Sequence, residues 1–329
     1  REAYQRLIDD PEADLSLAFR ELQEFAETKK TANVYAQDYK KDGIAWQEST
    51  ALSYDLFRFF RFKWLRFIFH AIKYYFYPEK YKASYRGGPP MDVLKSRINV
   101  HYNKFMIKRH DLPSKIYDKH RPYFLFTLCT IPEEATELRA PFFSDEIAVV
   151  KTILKSLPID CHLYIKEHHT MYYKRPFDFY RELAKHPKIK VLDPSCDIID
   201  LIEHAVGVIT IGSTVGFEAL AHSKPVVLFG DALYGMLDTV YKVKDITQLP
   251  YLLQEARSYQ PDERKIAAFF QAIMTQTIPF PYAFFINDGV ARRFSFEEHR
   301  ESRYGQCVDT LAREFLRYFC EHHLLKQEV

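Results

Sequence analysis

The chain has 329 residues, 47% hydrophobic and 16% aromatic, with 46 Lys and Arg against 44 Asp and Glu for a formal net charge of +2. That is enough apolar material for a large core across two domains, and the near-balanced charge excludes a general nucleic-acid footprint. Cys129, Cys161, Cys196, Cys307 and Cys320 are odd in number, scattered and without a CxxC pair. This excludes a disulfide framework and a zinc site and fits a reduced cytoplasm.

The chain opens Arg1-Glu2-Ala3-Tyr4 without a starting methionine, so a piece of a longer polypeptide is expected. Residues 1–110 carry helical periodicity and few strand signals, with a break at Arg86-Gly87-Gly88-Pro89-Pro90. Just before it, Leu56 to Tyr77 holds Arg58, Arg61, Lys63, Arg66 and Lys73 and no acidic residue, among eleven aromatic side chains that include Phe57, Trp64, Phe69 and Tyr75. Such a helix suits a membrane surface, with cations on headgroups and rings in the interface, at about 1 kcal/mol per basic residue. The alternative is that its aromatic face packs on the protein. It is too charged to span a bilayer.

From about Arg121 the pattern changes to alternating strand and helix, as a parallel sheet demands. Tyr123 to Leu128 reads as a strand. Glu133 and Glu134 follow it, at its carboxyl end; Glu133 is the better candidate for a base or nucleophile, against a capping or solvated role. Ser144 to Ser156 reads as a helix capped by Ser144, and His162 to Ile165 as the next strand. Lys166, Glu167 and His168 come just past that strand, where Lys166 and His168 can meet a phosphate and offset the charge of a leaving nucleotide. The plainer readings are a solvated lysine and a satisfied loop histidine. Pro176 to Lys185 is a predicted helix, Ile189 to Leu192 a strand and Asp197 to Ala205 a helix capped by Asp197.

The most telling segment is Val206 to Leu220, closed by Lys224-Pro225-Val226-Val227-Leu228-Phe229-Gly230. A β-branched run is followed by the Gly212-Ser213-Thr214 turn and cap, a helix and a second strand. Unpaired N–H groups and the positive end of the helix dipole are expected at Ser213 to Gly216, with Glu218 one turn further in, placed for ribose hydroxyls. Ser213, Thr214 and Glu218 thus describe a nucleotide site, against the plainer reading of Ser213 as an N-cap. Thr239 to Val243 is a predicted sixth strand and Ile246 to Ala256 a helix. Neither a P-loop nor a glycine-rich dinucleotide fingerprint is present.

Over roughly Pro122 to Asp245 the chain resembles the bacterial capsule and surface polysaccharide synthesis family, which includes retaining β-Kdo transferases with the two-Rossmann GT-B fold. The resemblance rests on Tyr123-Phe124-Leu125-Phe126 with Pro132-Glu133, on Pro141-Phe142-Phe143-Ser144-Asp145, on Tyr164-Ile165-Lys166-Glu167-His168, and on Gly212 to Leu220 with Lys224-Pro225-Val226. Members usually read Gln-Pro-Glu at Ile131-Pro132-Glu133, and Lys-Glu-His-Pro at Lys166-Glu167-His168-His169.

The resemblance implies an α/β, GT-B-like glycosyltransferase that moves a sugar from a nucleotide donor such as CMP-Kdo to a polysaccharide or glycolipid acceptor. No cofactor or metal is implied, since the nucleotide sugar enters as substrate. Ser213, Thr214, Glu218 and Lys166 are expected to hold the donor, with Glu133 and His168 in catalysis. Only one Rossmann unit is legible, so the acceptor domain either lies upstream or is replaced by helices. The expected organisation is a mainly helical region 1–110, a Rossmann-like donor domain 111–275 and a helical segment 276–329, in a cytoplasmic protein peripheral on the inner membrane. The other classes are a scaffold module of a polysaccharide assembly complex that has lost turnover, and a nucleotide-sugar epimerase.

Overall fold

The computed structural model describes residues 1–27, 64–76, 90–131, 134–277 and 303–319. Glu133, the Arg86 to Pro89 break and the 56–63 part of the aromatic helix lie outside the described residues. The chain divides into two compact units, one of residues 1–24, 33–42 and 264–329, the other of residues 25–32 and 43–263. The helices Trp64–Phe76 and Pro90–His110 fall in the unit that holds the sheet.

The helices of the N-terminal half are α1 (Glu2–Asp9), α2 (Ser16–Glu27), α3 (Trp64–Phe76) and α4 (Pro90–His110). The block that follows runs β1 (Tyr123–Thr127), α5 (Glu134–Glu137), α6 (Glu146–Ser156), β2 (His162–Lys166), α7 (Phe177–Ala184), β3 (Ile189–Leu192) and α8 (Ile198–His204). It continues β4 (Gly207–Thr210), α9 (Val215–Ala221), β5 (Val226–Leu228), β6 (Val240–Lys242) and α10 (Leu249–Arg257), followed by α11 (Glu263–Gln276) and α12 (Arg303–Phe319). In the first unit, Tyr4 of α1 meets Phe269 of α11 edge to face at 6.4 Å. Among the described residues no helix is long and apolar enough to cross a membrane.

All six strands pair in parallel, in the order β3-β2-β1-β4-β5-β6. Every residue of β1, β4 and β5 is buried, which is why these segments read as unbroken apolar runs rather than as alternating ones. Phe124 and Phe126 of β1 share one core cluster with Leu163 and Ile165 of β2, Ile153 of α6 and Tyr180 of α7. Each large apolar side chain buried in it contributes about 1.5–3 kcal/mol. Tyr123 alternates to the other face, where its ring stacks on Tyr164 at 4.1 Å and its hydroxyl donates to the Leu201 carbonyl of α8. This covers the sheet on both faces. From β1 the chain runs outward through β2 and β3, then crosses back to β4 on the other side of β1, so the crevice outside the carboxyl ends of β1 and β4 is a topological switch point, the place where open α/β sheets bind ligands.

Asp197 caps α8 as expected, accepting from the N–H groups of Ile199 and Asp200. The expected Ser144 cap is corrected: Asp145 caps α6 through Ile147 and Ala148, while Ser144 Oγ donates to Pro141 O at 3.0 Å. A 3-10 turn at Pro141–Phe143 engages the serine and moves the cap one residue on. The predicted 246–256 helix opens as a 3-10 turn, Ile246–Gln248, and becomes α-helical at Leu249 with proline in its first positions.

Candidate functional site

The register brings the strand ends into line. Thr127 of β1 pairs with Lys166 of β2, and Phe126 with Ile209, so that Thr127 and Thr210 end their strands side by side on one face of the sheet. Ser213 Oγ lies 2.9 Å from Thr210 Oγ1 and 3.2 Å from Thr127 Oγ1, so three hydroxyls bridge β1 and β4 at the switch point. Thr127 and Thr210 are residues the sequence reading missed. Their signal was there, a polar β-branched residue ending each of two apolar runs.

This overturns the plainer reading of Ser213. Thr214, not Ser213, occupies the N-cap position of α9, with αR backbone angles and no side-chain cap bond. The array of unpaired N–H groups is smaller than expected: Ser213 N–H donates to Thr210 Oγ1 at 3.0 Å and Gly216 N–H to Ser213 O at 3.2 Å. Thr214 is exposed at the surface of the turn, whereas Glu218 is only 2% exposed. The turn is held from behind by Tyr234, whose hydroxyl donates to Ser213 O at 2.7 Å.

Lys166 is half-buried, and its ammonium donates to the Pro194 carbonyl at 2.9 Å. Burial pulls its pKa down, opposed by Cys196, Asp193, Glu167 and Glu218. Glu218 is thus among the acidic groups that act on the Lys166 ammonium, and Lys166 pairs in register with Thr127, whose hydroxyl meets Ser213.

His168 sits in a triangle of hydroxyl contacts. Its Nδ1 lies 3.0 Å from Thr130 Oγ1 and 2.8 Å from Thr170 Oγ1, and the two hydroxyls are 2.9 Å apart. The Thr170 N–H also donates to Nδ1 at 3.3 Å. A backbone N–H can only donate, so Nδ1 is the acceptor and the ring proton resides on Nε2. Burial, then His169, Lys166, Arg175 and Lys174, hold the His168 pKa down at about 3. His168 is thus a neutral imidazole with one N–H to offer. The His169 ring lies 4.3 Å from it, with its own pKa lowered first by burial.

The loop that carries these histidines is fixed from below. Arg175 and Glu167 form an ion pair, Nε to Oε2 at 3.0 Å, and Glu167 Oε1 accepts the His168 N–H at 2.6 Å. Tyr172 donates to Asp193 at 2.6 Å. Asn103 of α4 donates to Tyr173 O at 3.0 Å and accepts from Phe177 N–H at 3.1 Å. Tyr173 takes φ 67°, a left-handed conformation that costs roughly 1–2 kcal/mol in a non-glycine residue and is retained here by the asparagine clamp. None of Asn103, Tyr172 or Arg175 was legible as part of the site, because each acts on a partner brought in by tertiary closure.

The candidate metal cluster among the described residues, Asp200, Glu203 and His204, lies on α8 away from this edge. Asp200 is already held by Lys119 Nζ at 2.6 Å and by the Tyr117 hydroxyl.

Known proteins share parts of this chain. A stretch of 78 residues is 37% identical to Protein FixF of Sinorhizobium fredii (strain NBRC 101917 / NGR234), covering 24% of this chain and 19% of that protein. The Thermosulfurimonas dismutans KpsC beta Kdo 2,7 transferase aligns at 16% identity over 52% of this chain and 53% of its own, with a TM-score of 0.35. The UDP-GlcNAc 2-epimerase of Methanocaldococcus jannaschii aligns at 17% identity over 54% of this chain and 51% of its own, with a TM-score of 0.36. The chain therefore spans about half the length of these solved structures. The family model described as capsule polysaccharide biosynthesis protein matches residues 20–276. That match takes in the sheet, the switch point and the histidine loop, and the chain belongs to the capsule polysaccharide biosynthesis protein family.

Proposed function

We propose that this protein is a glycosyltransferase that moves a sugar from a nucleotide donor, with CMP-Kdo as one candidate, to a growing capsule or surface polysaccharide. The observation that carries the reading is the convergence of Lys166, His168 and Ser213 at the carboxyl edge of β2, β1 and β4. Departure of a nucleotide leaves negative charge on a phosphate oxygen. A neutral imidazole whose Nε2–H is fixed by three contacts on Nδ1 donates to such an oxygen without reorienting, and preorganised donors of this kind lower the barrier. Lys166 adds a nearby positive charge. Thr214 and Ser213 line the turn against the phosphate, and Glu218 serves the ribose hydroxyls from inside the cluster. Glu133 acts at the sugar carbon or at the acceptor hydroxyl; double displacement and inversion each require a carboxylate there.

The acceptor side faces a membrane in this reading. Ile68, Phe69, Ile72, Tyr75 and Phe76 all stand exposed on α3, a helix without an acidic residue, which fits a peripheral position on the inner membrane.

Calorimetric titration with CMP, UDP, GDP and ADP tests the donor site. One nucleotide is expected to bind selectively, and Glu218→Gln, which keeps the shape and removes the charge, is expected to weaken it about tenfold or more, as loss of a charged hydrogen bond does. A folded chain that binds none of the four would replace this reading with a scaffold role.

A further inference from the structure

We propose that Arg175 is a positioning residue that locks the Cys129–Thr130 segment to the histidine loop, and so sets the ring of His168 in a single geometry. The inference rests on the glycosyltransferase reading for its consequence and on geometry for its substance. Arg175 is 5% exposed and reaches three separate segments. Its Nη2 donates to Cys129 O at 2.5 Å, its Nη1 meets Glu146 Oε2 at 2.5 Å, and its Nε pairs with Glu167. The two carboxylates carry the constraint onward. Glu146 Oε1 accepts the Cys129 N–H at 2.6 Å, so the Cys129 peptide is gripped at both its N–H and its C=O. Glu167 Oε1 accepts the His168 N–H, while Oε2 takes the Tyr180 hydroxyl at 2.7 Å. One residue beyond Cys129 is Thr130, whose hydroxyl holds His168 Nδ1. The guanidinium thus fixes both ends of the Thr130–His168 bond, and beneath it the Phe179 ring centroid lies 4.8 Å away.

A stability role alone accounts poorly for this cluster. Two carboxylates and one guanidinium at 1–5% exposure carry a desolvation cost that well-packed apolar residues would avoid. What apolar residues could not supply is directional bonds from one planar group to three segments at fixed angles.

The test compares wild type with Arg175→Met and Arg175→Lys, using circular dichroism for the fold and nitrogen-detected NMR of the His168 ring at pH 7. The wild type should show the Nε2–H tautomer. In a folded Arg175→Met chain the two ring nitrogens are expected to move toward averaged shifts, and the affinity for whichever of CMP, UDP, GDP or ADP the wild type binds should fall at least about tenfold. Arg175→Lys keeps the charge but cannot reach three segments with one ammonium, so it should show the same ring signature and rescue little. An unchanged ring signature in a folded variant overturns the proposal, and so does loss of folding in both variants, which would make the cluster a stability element. If the wild type binds no nucleotide, the function reading fails while the ring signature still decides the role of Arg175.

Discussion

Glu146 shows how far burial alters a single residue. Its carboxylate is 2% exposed, and desolvation, opposed by Arg175 and the Cys129 N–H, raises its pKa from 4.5 to about 7. Between those values the folded state keeps a proton that the unfolded state releases. The group's contribution to stability therefore falls as pH rises through that window, and is flat above it. A shift of that size corresponds to roughly 3 kcal/mol. His168 has the opposite sign: it is held down at about 3, so the folded state binds fewer protons and stability falls as pH drops below the ordinary histidine range. Comparing wild type with Glu146→Gln at each pH cancels the histidine. Urea unfolding at pH 5 and pH 8 should show the variant gaining relative to wild type by about 3 kcal/mol across the range; a difference independent of pH would mean that Glu146 is ionised throughout.

At the scale of elements, α9 and the segment after β5 are fitted to one another at a glycine. A Cβ on Gly216 would come within 2.5 Å of Tyr234 Cζ and Oη, so the glycine is there for close approach, with no left-handed backbone angle required. Tyr234 in turn holds the Ser213 carbonyl, and space at Gly216 therefore decides where the hydroxyl bridge between β1 and β4 lies. Gly216→Ala should cost about 1–3 kcal/mol by overpacking. Combined with Tyr234→Ala, which empties the space, it should cost less than the sum of the two singles by about 1 kcal/mol or more. Strictly additive costs in denaturant titrations would show that the two residues do not share a volume.

At the scale of the whole molecule, α3 and α4 each expose several large apolar side chains. Phe69, Tyr75 and Phe76 are 58%, 78% and 75% exposed, and with Ile68 and Ile72 they recur at helical spacing, so they share one face. Helix α4 adds exposed Ile98, Tyr102 and Phe105 in the same unit. If the proposed membrane contact holds, the protein should cosediment with vesicles of phosphatidylglycerol and phosphatidylcholine far better than with phosphatidylcholine alone, and less well as salt is raised. Phe69→Glu with Tyr75→Glu should abolish the binding without changing the unfolding transition. Undiminished binding in that variant would place the contact elsewhere.

Much of the fold was legible because its causes are local. Short β-branched runs such as Val206 to Ile211, and the Asp197 cap, record buried strands and helix starts within a few residues, and all six strands lie where the periodicity put them, with ends that differ by at most two residues. Lys166 and His168 stood out as candidates because they were read just past a strand; Lys166 is in fact the last residue of β2. Strand order was not, nor was anything that depends on it. The hydroxyl pair Thr127–Ser213 joins residues 86 apart and the Arg175–Cys129 bond residues 46 apart, and no local signal sets which of Ser213's neighbours its hydroxyl will meet. The sequence by itself determined the elements and the chemistry available at their ends; only the tertiary structure decided which of those groups meet, because register between strands and the closure of loops over them depend on the packing of the whole sheet.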